Sequence, residues 1–161
     1  LAEITGFGST GDAYHMTAPE PSGEGVARAM RQALEEGGFT PDDLGHLNAH
    51  GTGTPANDST ESKALLALCG EEAGSRIPVT SVKGTTGHTL GAAGAIEAIV
   101  TALSVMNDCV PPTAGFAEAD PECPVSVVTE AKTGYPQKVA LSNSLGFGGH
   151  NASLALSPYR A

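Results

Sequence analysis

Residues 78–106, PVTSVKGTTGHTLGAAGAIEAIVTALSVM, limit what this chain can fold into more than any other stretch. The β-branched run at 79–82 reads as a short strand that delivers Lys83 at its end, and a tight turn at Gly84 and Gly87 then presents His88. From 90 to 106 the residues are almost all apolar or small, with Glu97 as the lone charge. A surface helix carries a polar face, so a helix apolar all round has to be covered on both sides. The stretch is expected to be the central helix of a layered domain.

Length and composition bound the rest. A chain of 161 residues is expected to form one domain that buries most of its apolar surface. The formal charge is -10, and 8 Lys plus Arg make no basic stripe for a phosphate backbone, so nucleic acid is not expected as a partner. Cys69, Cys109 and Cys123 form an odd set with no CxxC spacing, which points away from zinc and from a disulfide framework and toward a reducing cytoplasm. The 90–106 run is broken by Glu97 and rich in Gly and Ala, and no charged segment precedes an apolar one at the N-terminus. Neither a membrane span nor a signal peptide is expected.

Along the chain, residues 1–7 read as a strand and Gly6, Gly8 and Gly11 as the start of a loop to Pro21. Ser22 can cap a helix in which Val26, Ala29, Met30, Ala33 and Leu34 recur at helical spacing, ended by Gly37 and Gly38. Residues 46–50 form a short strand, and Asn57 or Asp58 can cap a helix to about Leu68. Residues 108–124 hold four prolines and read as irregular surface, after which 125–128, 139–142 and 152–156 are strands. Alternating elements of this kind call for a mixed sheet with helices packed on it. A helix without a polar face should lie between two sheets, and this chain has strands for one, so a second half is implied.

Three glycine-rich loops carry the polar residues that need a reason: NAHGTGTP at 48–55, SVKGTTGH at 81–88 and NSLGFGGHN at 143–151. Each adjoins a strand end, where α/β enzymes gather their chemistry. His50 and His88 are the sharpest pair. Metal binding is one reading, but no third ligand falls at the short spacings of zinc motifs, and no metal is assigned. An anion nest at the start of the helix is another, yet GTTGHTLGAAG matches neither GxGxxG nor GxxxxGK[ST], and no cofactor is assigned. The third reading is two neutral imidazoles aimed at one carbonyl, donating N–H bonds to an oxyanion as it develops.

NAHGTGTPANDSTE, SVKGTTGHTLGAAGAIEA and NSLGFGGHNASL resemble the three C-terminal signatures of the elongating β-ketoacyl-acyl carrier protein synthases of fatty acid and polyketide assembly. GSTGDAYHMTAPEPSGEG resembles the bacterial type II enzymes of fatty acid synthesis, and the likeness runs from about Leu1 to Leu156. It implies the C-terminal half of a thiolase-like α/β fold, a mixed five-stranded sheet with helices on both faces, and so a reason for the apolar helix. It also implies an acyltransferase reaction. A cysteine takes the acyl chain from acyl carrier protein, malonyl carrier protein decarboxylates, and the enolate attacks the acyl thioester. In that scheme His50 and His88 hold the malonyl thioester oxygen, Lys83 organises the site electrostatically, and Glu61 is the acid paired with Lys83. Phe147 matches a gating phenylalanine given room by Gly146, Gly148 and Gly149, and Thr52 supports the site from the first loop.

Two departures stand out. Leu145 occupies a position where most bacterial members have phenylalanine, which bears on chain length or gating. The nucleophilic cysteine, which the family places at a helix N-terminus in its N-terminal half, has no counterpart among Cys69, Cys109 and Cys123. The chain is therefore expected to be the C-terminal half of a condensing enzyme, acting with an N-terminal half in cis or in trans, exposing the faces that meet it, and assembling as a dimer. Thiolases proper carry a second reactive cysteine where this chain has Phe147, and initiating synthases pair His with Asn. The alternative is a catalytically silent thiolase-fold module for interaction or dimerisation. Docking of acidic carrier protein would fall to Arg28, Arg31 and Lys63 or to the other half.

Overall fold

The computed structural model describes residues 2–159. In chain order the elements are β1 (Ala2–Gly11), α1 (Glu24–Glu36), a 3-10 turn at Pro41–Asp43, β2 (Leu44–Asn48), α2 (Pro55–Cys69), α3 (Glu71–Gly74), β3 (Pro78–Thr80), α4 (Lys83–Thr86), a 3-10 turn at Leu90–Ala92, α5 (Ala93–Met106), β4 (Cys109–Val110), β5 (Ser126–Val127), β6 (Lys132–Thr133), β7 (Val139–Gly146) and β8 (His150–Pro158). Leu1, expected at the start of the first strand, lies outside the described residues.

The main sheet is mixed and has six strands in the order β1-β8-β7-β2-β3-β5, with β2 parallel to β3 and β7, and β8 antiparallel to its neighbours. The expected count of five strands is corrected to six; the strand expected at 125–128 is present as the two-residue β5, pairing in parallel with β3 at the edge. A separate ribbon joins β4 to β6, so the proline-rich stretch expected to be irregular begins with a paired strand. Two further expectations change. β1 continues through Gly6 and Gly8 to Gly11, because those glycines serve packing rather than a turn: a Cβ at either would lie 1.9 Å from a carbonyl oxygen of α1, at Ala33 and Ala29. Lys83 does not end a strand; β3 stops at Thr80 and Lys83 opens the single turn α4.

Strand alternation sends the sheet's side chains to two different layers. Leu47, Val79, Leu141 and Ala155 point to one face, where they join Val26, Met30 and Leu34 of α1 and Leu65 and Leu68 of α2 in one apolar cluster. α1 packs there because its helical repeat is that of the expected stripe, with Met30 and Ala33 wholly buried. Gly23 is its N-cap, while Ser22 accepts the Glu24 N–H at 3.3 Å. His46, Asn48 and Thr80 point to the opposite face, and α5 lies across them.

α5 is inside out by the standard of a water-soluble helix. Its inward positions are Ala93, Glu97, Thr101, Ser104 and Val105, whereas Ile99, Leu103 and Met106 are 61%, 47% and 42% exposed. The expectation of cover on both sides is met here on the sheet side alone. Among the described residues no helix is long and apolar enough to cross a membrane. The free edge of β1 is occupied from its own chain: the Phe7 and Ser9 N–H groups donate to Glu36 Oε2 at 2.6 Å and Gln32 Oε1 at 3.2 Å.

Candidate active site

His50 and His88 arrive from neighbouring strands. β2 and β3 run parallel and end side by side, so the chain beyond Asn48 and the chain beyond Thr80 leave the sheet at the same edge. There the two imidazoles meet edge to face, with ring centroids 5.2 Å apart and planes at 83°. His50 is buried and His88 exposed.

The protons on these rings follow from their partners. Leu90 donates its backbone N–H to His88 Nδ1 at 3.2 Å, and the Lys83 ammonium lies 3.3 Å from His50 Nδ1. An amide N–H and an ammonium only donate, so each Nδ1 is an acceptor and each Nε2 carries the hydrogen. Both rings are therefore neutral donors through Nε2. Burial, reinforced by the positive charge of Lys83 and by His88, lowers the His50 pKa to about 4.

Lys83 is buried and forms three contacts: His50 Nδ1, the His50 carbonyl and Glu97 Oε1. Its acid is Glu97, which corrects the expected pairing with Glu61. The physical reason is reach: Glu97 lies one turn into α5, directly over the end of β2, while Glu61 stands in α2 on the other side of the His50 loop. Glu61 instead accepts the N–H groups of His50 at 2.8 Å and Gly51 at 2.7 Å, with Asn57 at 2.9 Å and Asn143 at 3.5 Å. Burial pushes the Glu61 carboxyl upward and those donors oppose it; every neighbour donates, the environment an acceptor-only carboxylate satisfies. Glu61 thus clamps the His50 loop. Burial likewise raises the Glu97 carboxyl, against the pull of Lys83.

The remaining expected residues fall into two groups. Thr52 is half-buried, shares a hydrogen bond of 2.9 Å with Thr54, and lines a cavity of about 800 Å³ together with Lys83, His88, Leu47, Leu65 and Val79. Phe147 and Gly148 do not line that cavity. They occupy the three-residue turn between β7 and β8, where Phe147 is 77% exposed and the Gly148 N–H donates to the Met16 carbonyl at 2.7 Å. The third glycine-rich segment touches the site through Asn143 and Glu61.

Glu97 is the residue that sequence reasoning passed over. Its signal was present: a lone carboxylate in an apolar helix needs a buried cation, and Lys83 is the nearest cation in the sequence. Among the described residues no group of three His, Cys, Asp or Glu is placed to hold a metal ion. All three cysteines are free. Burial pushes the Cys69 thiol up to about 11 and raises that of Cys123, so neither offers a ready thiolate.

A mixed thiolase-like α/β sheet with two histidines and a lysine at parallel strand ends defines the class as a condensing-enzyme domain, and comparison with known proteins agrees. Residues 1–117 match the family described as beta-ketoacyl synthase, C-terminal domain, and the chain belongs to that family. A 3-oxoacyl-[acyl-carrier-protein] synthase 2 of Staphylococcus aureus (strain COL) is 49% identical over 160 residues, covering 99% of this chain and 38% of the relative. The chain thus spans 38% of the length of that relative. Among solved structures, a beta-ketoacyl synthase from Burkholderia phymatum STM815 superposes with a TM-score of 0.89 at 39% identity, covering 99% of this chain and 38% of that one. A type II polyketide synthase acyl carrier protein in complex with its ketosynthase gives 0.93 at 35% identity, covering 99% and 39%.

Proposed function

We propose that this chain is the C-terminal half of a 3-oxoacyl-[acyl carrier protein] synthase that catalyses decarboxylative Claisen condensation of a malonyl thioester with an acyl thioester. The observation that carries the reading is the pair of Nε2–H donors, 5.2 Å apart between ring centroids, each fixed in its tautomer by a donor on Nδ1.

The malonyl thioester oxygen sits between those donors. As the bond to the carboxylate breaks, carbon dioxide leaves and its electron pair enters the enolate, whose oxygen takes the negative charge. Preorganised N–H groups stabilise that charge at no cost of reorganisation during the step. The enolate carbon then attacks the acyl thioester held on a cysteine, and the cysteine thiolate leaves. That cysteine comes from an N-terminal half, in cis or in trans. With a pKa near 4, His50 stays neutral at pH 7 and remains a donor rather than a competing cation. Lys83 holds the ring through Nδ1, and Glu97 balances its charge.

The exposed row Ile99, Leu103 and Met106 is the surface the N-terminal half covers. Acyl carrier protein is the proposed macromolecular substrate, in keeping with the ketosynthase complex described above. A ketosynthase from Xenorhabdus doucetiae is titled as a complex with its chain length factor, which supports assembly with a second thiolase-like subunit. Three free cysteines suit a reducing cytoplasm.

The experiment is to assemble the chain with an N-terminal half and measure carbon dioxide release from malonyl carrier protein. Release that drops at least 100-fold in both His50→Ala and His88→Ala supports the reading. Tight association of the halves with no release would replace it by the silent interaction module, which the apolar outer row of α5 also fits.

A further inference from the structure

Parallel pairing of β2 and β3 stops short of the site it positions. The last backbone rung between them runs from the Ala49 N–H to the Thr80 carbonyl at 2.8 Å. Among the described residues no backbone bond joins 50–55 to 81–90 beyond it, although His50 and His88 lie in those two segments. Two side chains cross the gap. One is Lys83, long and charged, reaching the His50 carbonyl. The other is Ser81, whose hydroxyl donates to the Gly51 carbonyl at 2.8 Å and accepts the Lys83 N–H at 3.4 Å.

We propose that Ser81 is a positioning residue that replaces the missing ladder rung and sets the spacing of the two histidine loops. The assignment rests on the reading of His50 and His88 given above. A serine hydroxyl has a single short side-chain torsion, so its bond fixes the gap more tightly than a lysine with four. Ser81 is itself anchored from behind, because its N–H donates to Thr113 Oγ1 at 3.1 Å and the Thr113 N–H donates to Val128 O at 2.7 Å. The opposing residue is cut to fit. Gly51 has φ +43°, and a Cβ there would lie 2.5 Å from Ser81 Cβ and 2.7 Å from its oxygen. A side chain at 51 would therefore push apart the same two loops that loss of the hydroxyl would release.

The test uses this chain assembled with its N-terminal half and two variants, Ser81→Ala and Gly51→Ala. Carbon dioxide release from malonyl carrier protein is expected to fall about 10- to 100-fold in each, the scale of a misplacement of about 1 Å. The His50 ring, followed by NMR of labelled histidine, is expected to titrate higher in both variants, toward the ordinary 6.5, as the loosened loop lets water reach the ring and carries it off Lys83. Both readings must move in both variants. Release at the level of the unmodified enzyme, or slower release with the His50 titration unmoved, overturns the positioning role. His50→Ala separates the two levels: if it keeps full release, the functional reading falls, whereas if it loses release and Ser81→Ala does not, only the role of Ser81 falls.

Discussion

On the α1/α2 face of the sheet, Val26, Met30, Leu34, Leu47, Leu65 and Leu141 meet in an apolar cluster, whereas on the α5 face His46, Asn48, Thr80, Glu97, Thr101 and Ser104 are buried against one another. The first face is held by area removed from water, which tolerates approximate fit. The second is held by a chain of individual bonds: Asn48 to Thr101 at 2.9 Å and to the Glu97 carbonyl at 3.1 Å, His46 to Thr80 at 2.9 Å, and Gln137 to Ser104 at 3.1 Å. Buried polar groups are costly unless each is paired, so this layer makes geometry exact at the expense of stability. Asn48 Oδ1, Glu97 Oε2 and Gln137 Oε1 have no hydrogen-bond partner among the described residues. The polar layer leads straight to Lys83 and His50. The molecule thus keeps most of its apolar core on one side of the sheet and the polar support of the candidate site on the other.

The contrast is tested most severely at Glu97. Glu97→Ala leaves the Lys83 ammonium buried without its acid, and the unfolding free energy is expected to fall by about 3–5 kcal/mol in denaturant titration. A loss below about 1 kcal/mol would mean that the polar layer is wet rather than dry. Next come paired truncations. Leu65→Ala, at 0% exposure, is expected to cost about 2–5 kcal/mol by thermal melting, while Ile99→Ala on the outer row of α5 costs less than about 1 kcal/mol in the chain alone. The order should reverse for affinity toward the proposed N-terminal half, measured by titration calorimetry.

The third test is pH. His46 is wholly buried, with Ser104 and Thr80 as its neighbours, and burial lowers its pKa to about 4 from 6.5. The unfolded chain therefore takes up the proton first as pH falls. The contribution of His46 is fully present above pH 6.5 and is lost progressively down to pH 4, by about 3 kcal/mol in all. Chemical denaturation of the unmodified chain and of His46→Gln across that window should differ by this slope; parallel curves would remove His46 from the acid sensitivity of the layer.

Much of this arrangement was legible from residues alone. Glycines flanking Lys83, His88 and His50 announced the loops, and alternation plus helical repeats announced β2, α1 and α2. What was hidden has a physical reason in each case. The two-residue strands β4 and β6 pair through backbone groups that carry no side-chain pattern, whereas β5 falls inside the strand expected at 125–128. The orientation of α5 could not be read from periodicity, since a helix with Ala, Ile and Val on every side has no apolar direction to follow. Its polar residues chose the orientation, through partners on β2 that only the fold brings near. The pairing of Lys83 with Glu97 rather than Glu61 was missed for a different reason: the resemblance pointed to Glu61, although Glu97, as the lone carboxylate of an apolar helix, needed a buried cation.

The edge of β1 has a consequence for how the protein fails. An unpaired strand edge is a template on which a foreign strand can add, and here the N–H groups of Phe7 and Ser9 are already engaged by Glu36 and Gln32. Growth of a cross-β fibril from that side would first have to pull two helix side chains off the strand. Produced on its own, the chain should clump through the exposed apolar row of α5 as amorphous, detergent-soluble aggregate rather than seed fibres.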